Sequence, residues 1–260
     1  MPLFKPRNIV VPEDGAAMLA DAIRRVEQPS RRAFLQRSLT LGGLGLLTGC
    51  TPDSEESIER ALASISRFND RAQAFLFDPT RLAPTYPDSM ITRPFPFNAY
   101  YGEDEVRVVD GDAWRLELSG LIADRKPWTL AGLRALPQQS QVTRHICVEG
   151  WSAIGKWGGV PFAHFLRRVG ADLSAKYVGF KCADDYFTSI DMATALHPQT
   201  LMALTYDGRT LPPRYGYPMK LRMPTKLGYK NPKHIQAIFV TNTYPGGYWE
   251  DQGYNWFGGS

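Results

Sequence analysis

The most informative segment of the chain is Arg144-His145-Ile146-Cys147-Val148-Glu149-Gly150-Trp151-Ser152, and Trp157-Gly158-Gly159-Val160-Pro161-Phe162 follows shortly after it. The thiolate is the form of cysteine that binds soft metals, and nearby positive charge favours that form. Arg144 and His145 therefore make Cys147 a candidate metal ligand. The alternative is structural, because free cysteine is among the most frequently buried residue types and Cys147 would then be a core residue near a strand end.

A second segment is basic and rich in glycine. It reads Gly216-Tyr217-Pro218-Met219-Lys220-Leu221-Arg222-Met223-Pro224 and continues with Lys226, Gly228, Lys230 and Lys233. A phosphate buried in a protein needs cationic donors and open backbone amides, which closely spaced lysines and glycines supply. The segment is thus a candidate phosphate site, with a solvated basic loop between strands as the alternative.

The cysteines limit the kinds of metal site. The chain has three, Cys50, Cys147 and Cys182, with no CxxC motif and no paired Cys/His spacing. This count excludes a disulfide scaffold and argues against covalent haem, iron–sulfur and structural zinc sites. If the protein holds a metal, few of its own atoms bind it.

Composition and charge indicate one globular domain with a terminal extension, at 43% hydrophobic and 22% charged residues. Residues 1–49 hold seven Lys/Arg and four Asp/Glu, which leaves 23 against 22 in the remainder, a net charge of +1. The part that follows the extension is therefore nearly neutral. Without a basic stripe we expect no nucleic-acid partner.

The first 50 residues resemble a twin-arginine export signal. Ser30-Arg31-Arg32-Ala33-Phe34-Leu35 precedes a Gly/Leu-rich apolar run at 39–47, which is too short to span a membrane. Leu47-Thr48-Gly49-Cys50 then resembles a lipobox, in which Cys50 is lipidated, although a small-residue cleavage site beside an incidental cysteine is the alternative. The sequence predicts export to the periplasm in the folded state, with a lipid anchor at Cys50 left open.

Residues 51–97 are predicted to form a helix and an extended wrap. Behind a cap at Ser54, apolar residues recur at helical spacing to about residue 76, at Ile58, Leu62, Ile65, Ala72 and Phe75. This amphipathic helix is expected on the outside of the domain. Five prolines within residues 78–97 predict an irregular, extended path.

Residues 98–260 are predicted to be the catalytic domain. Period-two alternation predicts strands at 114–118, 177–180 and 235–239. Short helices are predicted at 130–136 behind Thr129 and at 162–169 behind Pro161. The fold class is α+β, with mixed, mainly-β sheets, short helices and many loops, and no internal repeat.

The segment around Cys147 resembles the molybdenum-ligand loop, Cys-Val-Glu-x-Trp-Ser, of the sulfite oxidase superfamily. Within it, the segment is most similar to the branch of periplasmic protein-methionine-sulfoxide reductase catalytic subunits. The resemblance implies a sulfite oxidase-like molybdopterin-binding fold and a Mo-molybdopterin cofactor, with Cys147 as the protein's only ligand to molybdenum. Glu149 matches an acidic residue near the metal, although a carboxylate paired with Arg144 is the alternative.

Two further segments extend the resemblance over residues 98–240. Phe97-Asn98-Ala99-Tyr100-Tyr101 is similar to the family's Asn-x-x-Tyr pterin contact, which implies that Asn98 and Tyr101 bind the cofactor. The basic segment is similar to the family's phosphate-binding segment and implies the same role for Lys220, Lys226, Lys230 and Lys233. Lys220 stands where the family usually has arginine, and lysine cannot form the planar bidentate fork. Cys182 aligns with a pterin-contacting threonine.

The resemblance implies oxygen-atom transfer, above all reduction of a small-molecule or protein sulfoxide of the methionine sulfoxide type. The electrons are expected from a membrane haem b or quinol-linked subunit, because the sequence shows no other redox centre. Residues 244–254, called the tail below, depart from that branch and either line the substrate mouth or pack over a sheet edge.

Three other functions stay open on the sequence alone. Sulfite oxidation is one, but it normally needs several arginines for the anion, and Arg144 is the one expected near the ligand loop. A cysteine hydrolase is another, with Cys147 and one of His145, His164, His197 or His234. The last is an exported lipoprotein that holds no cofactor and binds a partner.

Overall fold

The computed structural model describes residues 55–260, apart from the side chains of residues 55–61 and 63. The predicted export signal, Cys50 and the predicted helix cap Ser54 lie outside the described residues. The helices of the described part are α1 (Glu55–Leu76), α2 (Leu130–Arg134), α3 (Phe162–Arg168) and α4 (Met192–Leu196). Its strands are β1 (Arg115–Gly120), β2 (Trp128–Thr129), β3 (Gln139–Ile146), β4 (Ser152–Pro161), β5 (Tyr177–Cys182), β6 (Phe187–Asp191), β7 (Leu201–Tyr206), β8 (Arg209–Thr210), β9 (Lys220–Arg222) and β10 (Ile235–Thr241).

The strands form two five-stranded sheets. Sheet one has the order β2-β1-β10-β5-β6, and sheet two has the order β3-β4-β7-β8 with β9 paired to β7. β1 and β10 are parallel, whereas the other pairs are antiparallel. Mixed sheets with few short helices confirm the predicted fold class.

The main hydrophobic core joins the two sheets. Sheet one contributes Leu116 and Val178, sheet two contributes Val160 and Met202, and α3 adds Phe165. Because each sheet buries one face against these shared side chains, the two sheets are held as one layered body. The cysteine loop at the end of sheet two is thereby fixed relative to sheet one.

The β3–β4 hairpin positions Cys147. The two strands pair from Gln139 opposite Gly159 to Ile146 opposite Ser152, and residues 147–151 connect them. In that connection the Cys147 amide donates to the Trp151 carbonyl at 2.9 Å, and the Gly150 amide donates to the Cys147 carbonyl at 3.2 Å. Gly150 has φ +89°, a conformation that favours glycine. Cys147 is therefore the first residue of a short, closed turn, directly after β3.

Several local predictions are confirmed. Thr129 caps α2 by accepting from the Gly132 amide at 3.0 Å, and α3 begins directly after Pro161. The three predicted strands appear as β1, β5 and β10. The sequence did not predict β3, β4 or β7, the strands of sheet two that carry and support Cys147.

The proline-rich segment packs on sheet two. Thr85 forms an isolated bridge with Thr143 of β3. Phe95 is buried in a second, smaller core cluster and makes edge contacts with Trp157 and Tyr215 at centroid distances of 5.3 and 5.6 Å. The segment is irregular, as predicted, and it covers the sheet that carries Cys147.

Helix α1 meets the domain through polar side chains. Asp70 accepts from the Phe257 amide at 2.8 Å, and Gln73 accepts from the Gly259 amide at 3.2 Å. The large apolar side chains of its described part are exposed, so the helix packs on the outside of the domain through its polar side and not through its apolar stripe. Among the helices of residues 55–260, none is long and apolar enough to cross a lipid bilayer.

Candidate active site

A cavity of about 130 Å³ opens beside Cys147. Asn98, Glu149 and Lys233 line it together with Cys147, so the structure brings these four predicted residues together. Aromatic side chains complete the wall. They are Tyr100, Tyr186, Tyr229, Trp249 and Tyr254.

Cys147 is buried and has Glu149 as its side-chain neighbour. The Cys147 Sγ lies 3.7 Å from Glu149 Oε2, and the same oxygen accepts a hydrogen bond from Trp151 Nε1 at 2.7 Å. Burial raises the pKa of the Cys147 thiol, and the charge of Glu149 adds to that effect. Glu149 thus holds a fixed carboxylate against the sulfur.

The expectation that Arg144 and His145 favour the thiolate was wrong. Successive residues of a strand point to opposite faces. Arg144 turns away from the cavity, with its guanidinium carbon 5.5 Å from the centroid of the Tyr86 ring. The ion pairs of the described residues do not join Arg144 to Glu149, so that alternative for Glu149 was wrong as well.

His145 is fully buried and neutral. Burial lowers the pKa of its imidazole well below the usual value, and the charges of Arg222, Lys220 and Lys233 lower it further. Its Nε2 lies 3.4 Å from Asn98 Nδ2, and its Nδ1 has no hydrogen-bond partner within the described chain. A charged imidazole next to these three cations would be repelled, which explains the neutral form.

Three buried cations lie near His145 without a carboxylate partner. Lys220, Arg222 and Lys233 are called the unpaired cations here, because none of them has an ion pair with a carboxylate of residues 55–260. Burial lowers the pKa of Lys233 to about 7, that of Arg222 to about 9, and that of Lys220 well below its usual value.

The contacts of the two unpaired lysines are mainly with aromatic rings. The Lys220 ammonium lies 5.3 Å from the centroid of the Trp157 ring and makes no hydrogen bond to another described residue. The Lys233 ammonium lies 4.3 Å from the centroid of the Phe97 ring and donates to the Arg214 carbonyl at 2.9 Å. Ring contacts compensate a buried charge only in part.

Arg222 was missing from the residues singled out in the sequence, although it lies within the basic segment. Its guanidinium donates to the carbonyls of Arg144 and Met223 at 2.5 and 2.9 Å, and its Nε has no partner among the described residues. The expectation that Arg144 is the arginine near the ligand loop was therefore wrong, because Arg222 lies behind that loop.

Lys226 and Lys230 differ from this group, because each faces a carboxylate. Lys226 Nζ lies 3.6 Å from Asp191 Oδ2 and donates to the Phe257 carbonyl at 2.8 Å. Lys230 forms a buried ion pair with Glu250. Of the five cations, Lys233 lines the Cys147 cavity, whereas Lys220, Arg222, Lys226 and Lys230 lie outside its lining.

Tyr101 and Cys182 lie next to the cavity but outside its lining. The Tyr101 hydroxyl donates to Asp184 Oδ2 at 2.9 Å, and Asp184 lines the cavity. Cys182 is buried on β5 and borders a separate cavity of about 290 Å³ with Phe187 and Phe239. The structure thus brings Tyr101 to the edge of the site and leaves Cys182 apart from Cys147.

The tail both packs at a sheet edge and lines the cavity, which are the two positions considered for it. The Tyr248 amide donates to the Phe187 carbonyl at 2.9 Å, so the tail packs at β6, the edge strand of sheet one. Trp249 and Tyr254 line the Cys147 cavity. The buried pair of Lys230 and Glu250 fixes the tail between these two contacts.

The structure does not support a cysteine hydrolase. His164 is exposed on α3, the His197 Nε2 contacts the Arg81 carbonyl at 3.0 Å, and the His234 Nδ1 contacts the Tyr217 carbonyl at 2.6 Å. Among the described side chains, the hydrogen-bond partner of Cys147 Sγ is Glu149 rather than a histidine. The base that a thiol nucleophile needs is therefore not in place.

The donors of this site fit an anionic cofactor that brings its own metal ligands. Burying a cation without a counter-ion is costly, yet three such cations surround His145. His145 Nδ1, Arg222 Nε and His234 Nε2 are buried polar atoms without a partner in the described chain. Residues 55–260 contain no group of three or more His, Cys, Asp or Glu placed to hold a metal. Cys147 alone supplies a soft ligand.

Fold and site together define a cofactor-dependent oxidoreductase rather than a hydrolase. Residues 103–249 match the family model of the oxidoreductase molybdopterin binding domain. The chain is 71% identical over 262 residues to "Putative protein-methionine-sulfoxide reductase subunit YedZ1" of Azospira oryzae, which covers 99% of this chain and all of that protein. The chain therefore belongs to the oxidoreductase molybdopterin binding domain family, as the resemblance to the sulfite oxidase superfamily predicted.

More distant relatives agree on the branch. The chain is 30% identical over 161 residues to the protein-methionine-sulfoxide reductase catalytic subunit MsrP of Burkholderia mallei and to that of Ralstonia nicotianae. These matches cover 56% of this chain and 49% of each of those proteins. Among solved structures, the sulfane dehydrogenase SoxCD from Paracoccus pantotrophus has a TM-score of 0.50 at 18% identity, over 53% of this chain and 40% of that one. That likeness shows the fold alone.

Proposed function

We propose that the protein is a Mo-molybdopterin enzyme that reduces a sulfoxide of the methionine sulfoxide type, either free or within a protein. The observation that carries this proposal is that buried Cys147 and the unpaired Lys233 line one cavity. The names of the Azospira, Burkholderia and Ralstonia relatives support the substrate class. The molybdenum form of the cofactor, the substrate and the direction of catalysis are parts of the proposal.

Cys147 and the unpaired cations bind different parts of the cofactor. The Cys147 sulfur is the single protein ligand to molybdenum, and Lys220, Arg222 and Lys233 neutralise the pterin phosphate in a dry environment. Asn98 and His145 offer hydrogen bonds beside Cys147. When bound, the cofactor supplies the two-electron redox chemistry of oxygen-atom transfer.

Lys226, Lys230, Tyr101 and Cys182 have supporting roles in this proposal. Lys226 and Lys230 stabilise the fold of the basic segment through Asp191 and Glu250. Tyr101 orients Asp184 at the edge of the cavity. Cys182 packs in the main hydrophobic core.

Glu149 is the carboxylate placed to hold and deliver protons. Reduction of a sulfoxide consumes two protons and two electrons and releases a thioether and water. Glu149 Oε2 faces the cavity beside Cys147, and the Trp151 indole fixes its orientation. A carboxyl in this position can donate a proton to the departing oxygen and recover one from solvent.

The aromatic wall fits the organic part of the substrate. Trp249 and Tyr254 of the tail line the cavity with Tyr186 and Tyr229. Sulfur makes favourable contacts with aromatic rings, and these rings also limit the access of water. A thioether sulfoxide with an apolar substituent suits this wall better than a small inorganic anion does.

The proposal places the enzyme in the periplasm after twin-arginine export, with Cys50 as a possible lipid anchor. Folded export suits a protein that must retain a large cofactor assembled in the cytoplasm. A membrane haem b or quinol-linked subunit then supplies the electrons. The support for this arrangement is the sequence of residues 30–50 and the cysteine spacing.

Metal and pterin content of the exported protein test the proposal. We expect about one molybdenum per chain in the wild type and loss of metal, or a changed metal signal, in Cys147→Ala. Cys182→Ala is the matched control, because it removes the other buried thiol outside the cavity. The rate at which the enzyme reduces methionine sulfoxide, with electrons from a chemical donor, should likewise be lost in Cys147→Ala and retained in Cys182→Ala.

Two outcomes would contradict the proposal. One is a wild-type protein without molybdenum from a host that makes the cofactor. The other is Cys147→Ala protein that keeps both the wild-type metal signal and the wild-type rate of sulfoxide reduction.

A further inference from the structure

Helix α1 exposes a continuous apolar face. Its large apolar side chains are between 57% and 88% exposed. They are Leu62, Ile65, Phe68, Phe75 and Leu76. At 100° per residue they fall within an arc of about 140° of the helix circumference, in which Asn69 is a polar exception. Exposed side chains of this size in one arc mark a surface that is covered by something else.

The helix cannot bury this face by rotating against its own domain. Asp70 and Gln73 are tied to the backbone amides of Phe257 and Gly259. Phe77, just beyond the helix, packs edge-on against the Phe257 ring at a centroid distance of 5.5 Å. These contacts hold the polar side of α1 on the domain and leave the apolar side facing outward.

The apolar face has exposed arginines along its border. Arg67 and Arg71 are exposed and lie next to Phe75 around the helix. Arg81 and Leu82, also exposed, follow a few residues after the helix. An apolar arc flanked by arginines is the pattern of a helix that lies in the plane of a lipid interface, with its cations among the headgroups.

The position of α1 in the chain favours a lipid surface over a protein groove. The helix begins five residues after Cys50, and the apolar run at 39–47 lies immediately before that cysteine. Cleavage or lipidation at Cys50, as the sequence predicts, takes place at the membrane, which brings the start of α1 close to the bilayer. The described part of α1 offers a convex row of side chains, which a bilayer accepts without a shaped partner surface.

We propose that α1 docks the protein on the surface of a lipid bilayer through Leu62, Ile65, Phe68, Phe75 and Leu76. The docking does not depend on the sulfoxide chemistry and goes beyond the proposed function. It adds a second membrane contact to any lipid at Cys50.

Docking through this face also affects which part of the domain lies near the bilayer. A cavity of about 560 Å³ lies beside α1 and is lined by Leu76, Leu82, Arg144 and Ile146. Ile146 directly precedes Cys147 in the chain. The docked helix therefore brings this cavity close to the bilayer.

The test uses the exported, cofactor-loaded full chain with a single introduced cysteine that carries an environment-sensitive dye. Leu62→Cys places the dye in the apolar arc, and Val108→Cys is the matched control at another exposed apolar residue. The native Cys147 and Cys182 are buried, and protein without an introduced cysteine corrects for any labelling of Cys50. Vesicles of phosphatidylethanolamine and phosphatidylglycerol are added, and quenching by aqueous iodide is measured.

Docking predicts that vesicles reduce quenching at position 62 by at least about fivefold and leave quenching at position 108 unchanged. Adding Phe68→Ser and Phe75→Ser to the Leu62→Cys protein should restore most of the quenching, while molybdenum content and reductase rate stay the same. Because the dye is attached to α1, its quenching measures insertion of α1 even when a lipid at Cys50 anchors the protein to the vesicle.

Other outcomes would overturn the proposal. Equal quenching at positions 62 and 108 with vesicles present would show that α1 stays in water. Protection at position 62 without vesicles, together with a dimer in sedimentation, would assign the face to a second copy of the chain. Protection that needs a membrane protein in the vesicles would assign it to a protein partner.

Discussion

The paired and unpaired cations differ in what surrounds them, although all five lie within residues 220–233. Lys226 and Lys230 face Asp191 and Glu250. Lys220, Arg222 and Lys233 are also buried but contact rings and carbonyls, and the carboxylate charge that acts most strongly on Lys233, that of Asp184, lies beyond ion-pair distance. A buried cation with its own carboxylate serves the protein's stability, whereas one without a carboxylate is placed for an anion that binds from outside. We propose that this difference separates the cations that stabilise the fold from those that bind the cofactor.

The largest effect is expected from removing an unpaired cation. In Lys220→Met the pterin phosphate loses a buried charge partner, a change that costs about 2–5 kcal/mol in comparable interfaces. We expect molybdenum retention and sulfoxide reduction to fall at least about thirtyfold. The cofactor-free variant should be no less stable than the cofactor-free wild type, because a buried unpaired charge has been removed. Metal analysis with thermal unfolding checks both, and full metal retention would remove Lys220 from the site.

The opposite pattern is expected for a paired cation. Lys230→Met leaves Glu250 buried without its partner, so the free energy of unfolding should fall by about 3–5 kcal/mol, measured with denaturant. Metal content per folded molecule should remain close to that of the wild type. The double variant Lys230→Met/Glu250→Leu is the control and should recover most of the stability. A single variant as stable as the wild type would refute the assigned role of the pair.

Gly228 lies between the two groups and should show a smaller effect. A Cβ at this position would lie 2.8 Å from His145 Nε2 and 3.2 Å from Asn98 Nδ2. Gly228→Ala should therefore cost about 1–3 kcal/mol of stability through overpacking, with partial loss of cofactor. Gly102→Ala is the control, since its Cβ would meet the ends of two exposed side chains, Asp104 and Glu105. Equal stability of the two variants would show that the site tolerates the extra carbon.

The subtlest comparison is a pH dependence that distinguishes Lys233 from Lys226. Burial lowers the pKa of each to about 7 from an ordinary value of 10.5. Between these pH values the unfolded chain binds a proton that the folded chain does not, so stability rises with pH. The slope is up to about 1.4 kcal/mol per pH unit for each lysine. Below pH 7 the cost of burying the charge is constant.

The cofactor should change this dependence for one lysine only. A bound phosphate keeps Lys233 protonated, so Lys233→Met alters the slope in the cofactor-free protein and not in the loaded one. Lys226→Met should alter the slope in both forms. Denaturant unfolding between pH 7 and 10 measures the slope of the free energy of unfolding against pH. If the two variants change this slope in the same way, with and without cofactor, the result would count against a phosphate at Lys233.

Local sequence signals predicted much of the fold and the centre of the site. The 3.6-residue period located α1, and the hydroxyl of Thr129 located the start of α2. Cys147, Glu149 and Asn98 were identified through short motifs, and the structure places all three at one cavity. Such signals succeed because the residues that set them lie within a few positions of each other.

Pairing over longer distances was not predictable. Glu250 lies 20 residues from Lys230, and nothing local marks it as the partner. Strand β3 was missed because three consecutive residues, Gln141, Val142 and Thr143, are all buried, which hides the two-residue period. Without that strand, the opposite directions of Arg144 and His145 could not be deduced. Recognising β3 would have corrected the expected charge around Cys147.

The central position of strand β10 limits the order in which sheet one can assemble. It is the middle strand of sheet one, between β1 and β5, and it begins at Ile235, two residues after Lys233. The two halves of the sheet cannot join until β10 has inserted between them. An anion that fixes the segment ending at Lys233 also fixes the start of β10, so cofactor binding and completion of the sheet stabilise each other. We therefore expect the cofactor-loaded protein to unfold less readily than the cofactor-free protein.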